Sequence, residues 1–173
     1  MKRINCSISK AGSIQRAIQE LENYKKTLET KTEMFVQRLA EIGVNVAMMT
    51  LAFKGQGDSP RDADFAIKID RNGDLVEGII TVSSSSILFW EFGSGIKFNS
   101  GSGHPQAGEF GMGPGTYPGQ THVPDPGYWY YYPNGSDTAI RSYGTEATMP
   151  MHSATMEMIS KVEQIAKEVF GNG

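Results

Sequence analysis

The sequence predicts an α+β protein in which a long N-terminal helical segment and a C-terminal helix pack on a small antiparallel sheet, with a long Gly/Pro/aromatic loop between them. Three observations carry this expectation. Apolar residues recur every seven positions from Ile14 to Met49, alternating side chains flank Asn72-Gly73, and an amphipathic run follows Pro150. At 173 residues the chain is expected to be a single domain with a core that needs neither metal nor disulfide.

The first element runs through Ile14, Leu21, Leu28, Phe35, Ile42 and Met49, with a second row at Ile18, Leu39 and Val46. Lys25 and Thr32 interrupt that second row, so the first half carries a thin stripe, whereas FVQRLAEIGVNVAMMTLAF carries a broad one and is expected to be the core helix. The first half reads either as a continuation, forming a projecting arm over residues 1–30, or as a separate helix folded back near Glu29 to Lys31. A thin heptad stripe calls for a partner helix. Lys54 to Asp64 has Gly, Pro and charges at turn density and is expected to be a loop. In FAIKIDRNGDLVEGIITV, Phe65, Ile67 and Ile69 alternate with polar residues, as do Val76, Gly78, Ile80 and Val82, and Asn72-Gly73 supplies a type I′ turn; this is a β-hairpin.

ILFWEFGSG, Ile87 to Gly95, reads as a short turn of helix or strand anchored to the core, with Gly93 and Gly95 releasing the chain into the long loop. Residues 93–135 hold 11 of the 20 glycines and 6 of the 8 prolines, together with eight aromatic residues. Gly and Pro alone suggest disorder, but the aromatics bring enough buriable surface to order the segment against a partner. It is expected to be an assembly loop. Tyr128 to Tyr132, Pro133-Asn134-Gly135 and Thr138 to Tyr143 suggest a second hairpin. The terminal helix starts at Pro150, buries Ala154, Met158, Val162, Ile165 and Val169, and stops at Gly171 as its C′ residue.

The net charge of −3 is unevenly spread: residues 1–40 carry eight Lys and Arg against four Glu, and the remainder eight against fifteen Asp and Glu. A basic arm thus sits on an acidic body. The arm's charges interleave with Glu20, Glu22, Glu29 and Glu33, which suits a solvated helix rather than a phosphate-tracking stripe, so no sequence-specific nucleic-acid partner is expected. No apolar run reaches the roughly 20 residues of a membrane span, and MKRINCSISK lacks the apolar core of a signal peptide. The chain is expected to be soluble and made in the cytoplasm. Cys6, the single cysteine, permits no intrachain disulfide and is expected to be a buried apolar residue.

A search for chemistry assigns no catalytic residue, cofactor or metal, and the chain is not expected to be an enzyme. His104, His122 and His152 are far apart, with no Cys or carboxylate at metal-ligand spacing, and read as solvated or hydrogen-bonding groups. Asp70, Asn72 and Asp74 mimic part of a calcium loop, but Leu75 and Thr81 stand where it needs Gly and Glu. Gly111 to Gly115 lacks the lysine and the helix of a phosphate cradle, and Pro114 removes an amide. Ser83 to Ser86 read as a polar turn or cap. Glu91, among apolar neighbours, could be an acid of raised pKa, but its second carboxylate would have to be Glu109 or Asp125 at unfixed separation.

Several strings resemble one family. Trp90-Glu91-Phe92-Gly93-Ser94-Gly95 stands where head-tail joining or tail-completion proteins of long-tailed double-stranded DNA phages and prophages carry Glu-Phe-Gly-Thr-Gly or Glu-Phe-Gly-Ser-Gly after a short aromatic segment. Gly113 to Gly119, containing Tyr117, then Tyr128 to Tyr132 and Met149-Pro150-Met151 with Ala154, reproduce the order found in members from prophages of Gram-positive hosts. The resemblance covers residues 87–173. Many members also carry a Val-Asp-Thr-Gly type turn between helix and first strand, which Lys54 to Asp64 lacks. The resemblance implies a non-enzymatic virion protein, a subunit of a ring of identical chains with a hexamer as the candidate size, located at the head-tail interface. Its implied partners are a neck or head-completion protein and the major tail protein. Trp90, Glu91, Phe92, Gly93, Gly95, Tyr117, Tyr128, Trp129 and Tyr130 are the implied assembly residues. The alternative is a carbohydrate-binding module in which Trp129 and its flanking tyrosines stack on sugar rings.

Overall fold

A computed structural model describes residues 4, 6, 7, 10–54, 63–94, 104–112, 127–132 and 136–171. The elements, in order, are α1 (Ala11–Lys54), β1 (Asp64–Asn72), β2 (Leu75–Ser83), α2 (Ile87–Phe92), β3 (Trp129–Tyr131), β4 (Ile140–Ser142) and α3 (Pro150–Phe170). The architecture is α+β as expected, but the strands form two separate two-stranded antiparallel sheets, β1-β2 and β3-β4, rather than one.

The N-terminal segment is one continuous helix of 44 residues, so the fold-back near Glu29 does not occur. Its proximal half packs antiparallel on α3: Gly43 lies against Met158, Arg38 pairs with Glu168 at 3.1 Å, and Phe35 meets Phe170 at 5.9 Å between rings. The buried line is Ala40, Gly43, Ala47 and Leu51, small residues that let the two helices approach. Met49 lies exposed instead. At 3.6 residues per turn Met49 stands about 160° around the helix from Leu51, on the side away from that line.

The β1-β2 hairpin lies across the same helix. Its register pairs Asn72 with Leu75, which leaves Gly73 and Asp74 as the two-residue loop. Only Gly73, at φ +63°, has positive φ there, the pattern of a type II′ turn with Gly first rather than the anticipated type I′ turn centred on Asn72-Gly73. Gly78 is where the strand touches the helix: a Cβ there would stand 2.7 Å from Val36 Cγ1. Arg71 next to the turn pairs with Glu29 at 2.7 Å and Glu33 at 3.1 Å. Beyond Glu29 towards the N-terminus, every residue from Ile18 to Leu28 is exposed. The distal half of α1 is therefore an arm that projects past both the hairpin turn and the end of α3.

In α3, Ala154, Ile165 and Val169 are buried as expected, but Val162 is exposed because it lies at the edge of the stripe facing α1. Gly171 keeps a right-handed conformation, with its N–H donating to the Lys167 carbonyl at 2.8 Å, so it is not the expected left-handed C′ glycine. Cys6 is exposed, not buried, since it precedes α1 and reaches no core. Among the described residues no helix is long and apolar enough to cross a membrane. The Lys54 to Asp64 connection lies largely outside the described residues.

Candidate functional site

The residues around Glu91 make two helix ends satisfy each other. Helix α2 starts on Ser86, whose carbonyl accepts from the Phe89 N–H at 3.0 Å and whose Oγ accepts the Trp90 indole N–H at 3.3 Å. It ends at Gly93, φ +74°, whose N–H returns to the Phe89 carbonyl at 2.9 Å. Positive φ here favours glycine. The Trp90 carbonyl, left without a partner by the end of the helix, accepts the Thr148 N–H at 2.7 Å, the Met149 N–H at 3.2 Å and the Thr148 hydroxyl at 3.1 Å.

The start of α3 has the complementary shortage. Its N-cap residue, Met149, is left-handed at φ +56° and has no capping side chain. Pro150, fully buried, has no N–H to satisfy. The next two amides are capped by Glu91: Oε2 accepts the Met151 N–H at 2.7 Å and Oε1 the His152 N–H at 2.8 Å. Ser153 makes the first intrahelical bond to the Met149 carbonyl at 2.9 Å. A carboxylate 60 residues away in sequence thus does the work of an N-cap side chain, at the end of the helix dipole that favours negative charge.

Glu91 is only 6 % exposed, and its third partner is His104 Nε2 at 3.1 Å from Oε1. The His104 Nδ1 accepts the Gln106 N–H at 3.1 Å, so Nε2 is the donor to the carboxylate. The imidazole lies against the rings of Phe92 at 4.7 Å and His152 at 4.9 Å. Residues 104–112 then form a compact turn, with the Met112 N–H on the Ala107 carbonyl at 2.9 Å and Met112 buried. This part of the Gly-rich loop is docked on the core through His104. A further clamp follows α2, where Ser94, 2 % exposed, bridges to Thr145 through N–H···O bonds of 2.8 and 3.2 Å.

Among the expected assembly residues, the structure brings Trp90, Glu91, Phe92 and Gly93 together and buries all four. Tyr128 and Tyr130 lie apart from them, in a second cluster on β3-β4. There the Arg141 guanidinium lies 4.7 Å from the Tyr128 ring centre and donates to the hydroxyls of Tyr130 and Tyr143 at 3.1 Å each. The hydroxyl acceptors, Tyr143 first and then Tyr130, raise the pKa of Arg141 above its ordinary value. The Trp129 backbone belongs to β3, while its side chain, Gly95, Tyr117, His122 and Asp125 lie outside the described residues. Glu109 bonds to Gln106 at 3.2 Å on the surface, with no role beside Glu91.

Sequence reasoning missed His104, read as a loop group and found buried, and also Thr148, Ser94 and Thr145. The signal for His104 was a carboxylate in an apolar string, which when buried needs a donor. Among the described residues no group of three or more His, Cys, Asp and Glu is arranged to hold a metal. Both Glu91 oxygens are engaged with amides and imidazole, which is the geometry of a structural cap. No family model, curated protein or solved structure matches the chain.

Proposed function

We propose that this chain is a structural subunit of a phage or prophage virion that completes the tail and joins it to the head or neck, acting as one member of a ring of identical chains. The observation that supports it best is the meeting of the two strings that carry the family resemblance. Trp90 to Ser94 and Met149 to Met151 lie more than 50 residues apart in sequence, yet the carboxylate and carbonyl of the first string cap and anchor the amides of the second. The motif residues act as one latch that fixes α3, the 104–112 turn and the α2 exit relative to one another. Around this fixed centre, the projecting α1 arm and the exposed Tyr130, Tyr132 and Tyr143 supply contact surface. In this role the protein is made in the host cytoplasm and ends at the head-tail interface, against a neck protein and the major tail protein.

The test is genetic. Deleting the gene from the phage or inducible prophage is expected to leave DNA-filled heads and separate tails in induced lysates, visible by electron microscopy and restored by the gene in trans. Normal infectious particles from the deletion strain would overturn the proposal.

A further inference from the structure

The projecting arm exposes an ordered apolar row. Ile14, Ile18, Leu21 and Leu28 are 42 to 56 % exposed, and nothing among the described residues covers them, because the hairpin turn reaches only as far as Glu29 and α3 only as far as Phe35. An apolar row of this length on a solvated helix marks a contact surface. A second row lies on the face of α3 turned away from α1: Met156, Ile159 and Glu163 are exposed, Ile159 at 62 %, and the row continues through half-buried Ala166 to Phe170 at the helix end, whose ring also meets Phe35.

The two rows have the same spacing. On the arm, Ile18, Leu21, Lys25, Leu28 and Thr32 follow one another at intervals of three, four, three and four residues, and Met156, Ile159, Glu163, Ala166 and Phe170 do the same. That is the a/d spacing of helices that pack along a seam. Each row is broken by one charge at the same place, Lys25 on the arm and Glu163 on α3. Among the described residues each of these charges is held by an i,i+4 pair, Lys25 at 3.9 Å to half-buried Glu29, which is engaged by Arg71 at 2.7 Å, and exposed Glu163 to exposed Lys167, of a kind that contributes little and yields easily. Laid parallel and in step, the rows place Ile18 on Met156, Leu21 on Ile159 and Lys25 beside Glu163. Two arms laid together in the same parallel manner would instead face Lys25 with Lys25. The two segments carry small opposite charges: residues 14–32 hold four Lys and Arg against three Glu, net +1, and residues 156–170 two Lys against three Glu, net −1.

We infer that the arm of one copy docks on the outer face of α3 of a second copy, with Lys25 in register with Glu163. The contact joins two different surfaces, so it repeats head to tail and closes as a ring when the rotation permits. It supplies the subunit contact for the ring proposed above and rests on that reading.

Cross-linking of the purified full chain in a Cys6→Ser background tests it. Leu21→Cys and Ile159→Cys in one chain are expected to give a ladder of covalent multimers on mild oxidation. Either substitution alone is expected to give none, and the two single variants mixed should give a covalent dimer only. Lys25→Glu is expected to weaken association about three- to tenfold, with recovery when Glu163→Lys is added. Self-linking of Leu21→Cys alone, which reports arm against arm, overturns the inference, as does a chain that sediments as a monomer at all concentrations and yields no ladder. The head-tail reading is scored separately: deletion phage complemented by the double variant Leu21→Asp and Ile159→Asp, which places two acids face to face in the seam, that still join heads to tails refute this contact and leave that reading standing.

Discussion

Removing the carboxylate of Glu91 should unlock the start of α3, and the size of the effect follows from what is left behind. In Glu91→Ala two part-buried backbone amides, Met151 and His152, lose acceptors at 2.7 and 2.8 Å, and His104 loses its partner at 3.1 Å. Each donor left without an acceptor away from water costs about 1–3 kcal/mol, so the two amides together cost about 2–6 kcal/mol, which at about 2–4 °C per kcal/mol for a chain of this size lowers Tm by about 4–24 °C. Glu91→Gln is the sharper test because it keeps volume and one oxygen. Its new NH2 group must face either the Met151 N–H or the His152 N–H, placing donor against donor, so a loss of about 2–3 kcal/mol is expected. Thermal and urea unfolding followed by circular dichroism give the totals, and hydrogen exchange gives the location: the amides of Met151 and His152 should exchange faster in both variants while those near Ile165 change only with global stability. Unchanged Tm in Glu91→Gln, or unchanged exchange at those two amides, would refute the capping argument.

Two further perturbations test neighbouring links. His104→Phe keeps a ring against Phe92 and His152 but removes the donor to Glu91 and the acceptor of the Gln106 N–H; it should lower stability by about 1–3 kcal/mol and hasten proteolysis within residues 104–112, whereas wild-type stability with wild-type cleavage would show that the imidazole only fills space. Gly78→Ala places a Cβ 2.7 Å from Val36 Cγ1, and because the β-branched Val36 cannot rotate away without leaving its helical rotamer, overpacking of about 1–3 kcal/mol is expected in a denaturant titration; a neutral or stabilising result would mean that the hairpin slides on α1 without penalty.

The two main helices, both hairpins and their order were legible because they rest on local periodicity and turn residues, which a sequence displays directly. What escaped detection depended on residues distant along the chain. Whether α1 bends near Glu29 depends on whether anything holds the arm back, and its exposed Ile18 and Leu21 show that nothing in the described chain does. The buried line of α1 fell on Ala40, Gly43 and Ala47, small residues with weak hydrophobic signal that are chosen by close approach to α3 and β2. The hairpin shifted by one residue because strand pairing set Asn72 opposite Leu75, leaving Gly73 to take the first turn position. The site was legible in part: Glu91 stood out as a lone carboxylate in an apolar string, yet neither the amides it caps nor the imidazole beside it could be read before the chain was folded.

The identity of residue 91 is constrained more tightly than that of most buried acids. A buried ion pair can often be replaced on both sides by apolar residues of similar volume at no loss, because both partners are side chains. Here the principal partners are main-chain amides, which no substitution removes. Local rescue is also closed: Met149 occupies the N-cap with a side chain that cannot accept, and a Ser, Asp or Asn there would have to cap from a left-handed backbone at φ +56°, whereas capping residues hold β-region geometry. Glu91→Met would therefore keep the packing and still strand two amides. An acceptor must come from α2, at the one position that the short helix aims at α3, and it must span both N2 and N3, which a single hydroxyl or amide oxygen cannot do as a carboxylate does. The acid is fixed by the backbone it faces, and the string Trp90 to Ser94 is bound to the string Met149 to Met151 for that reason.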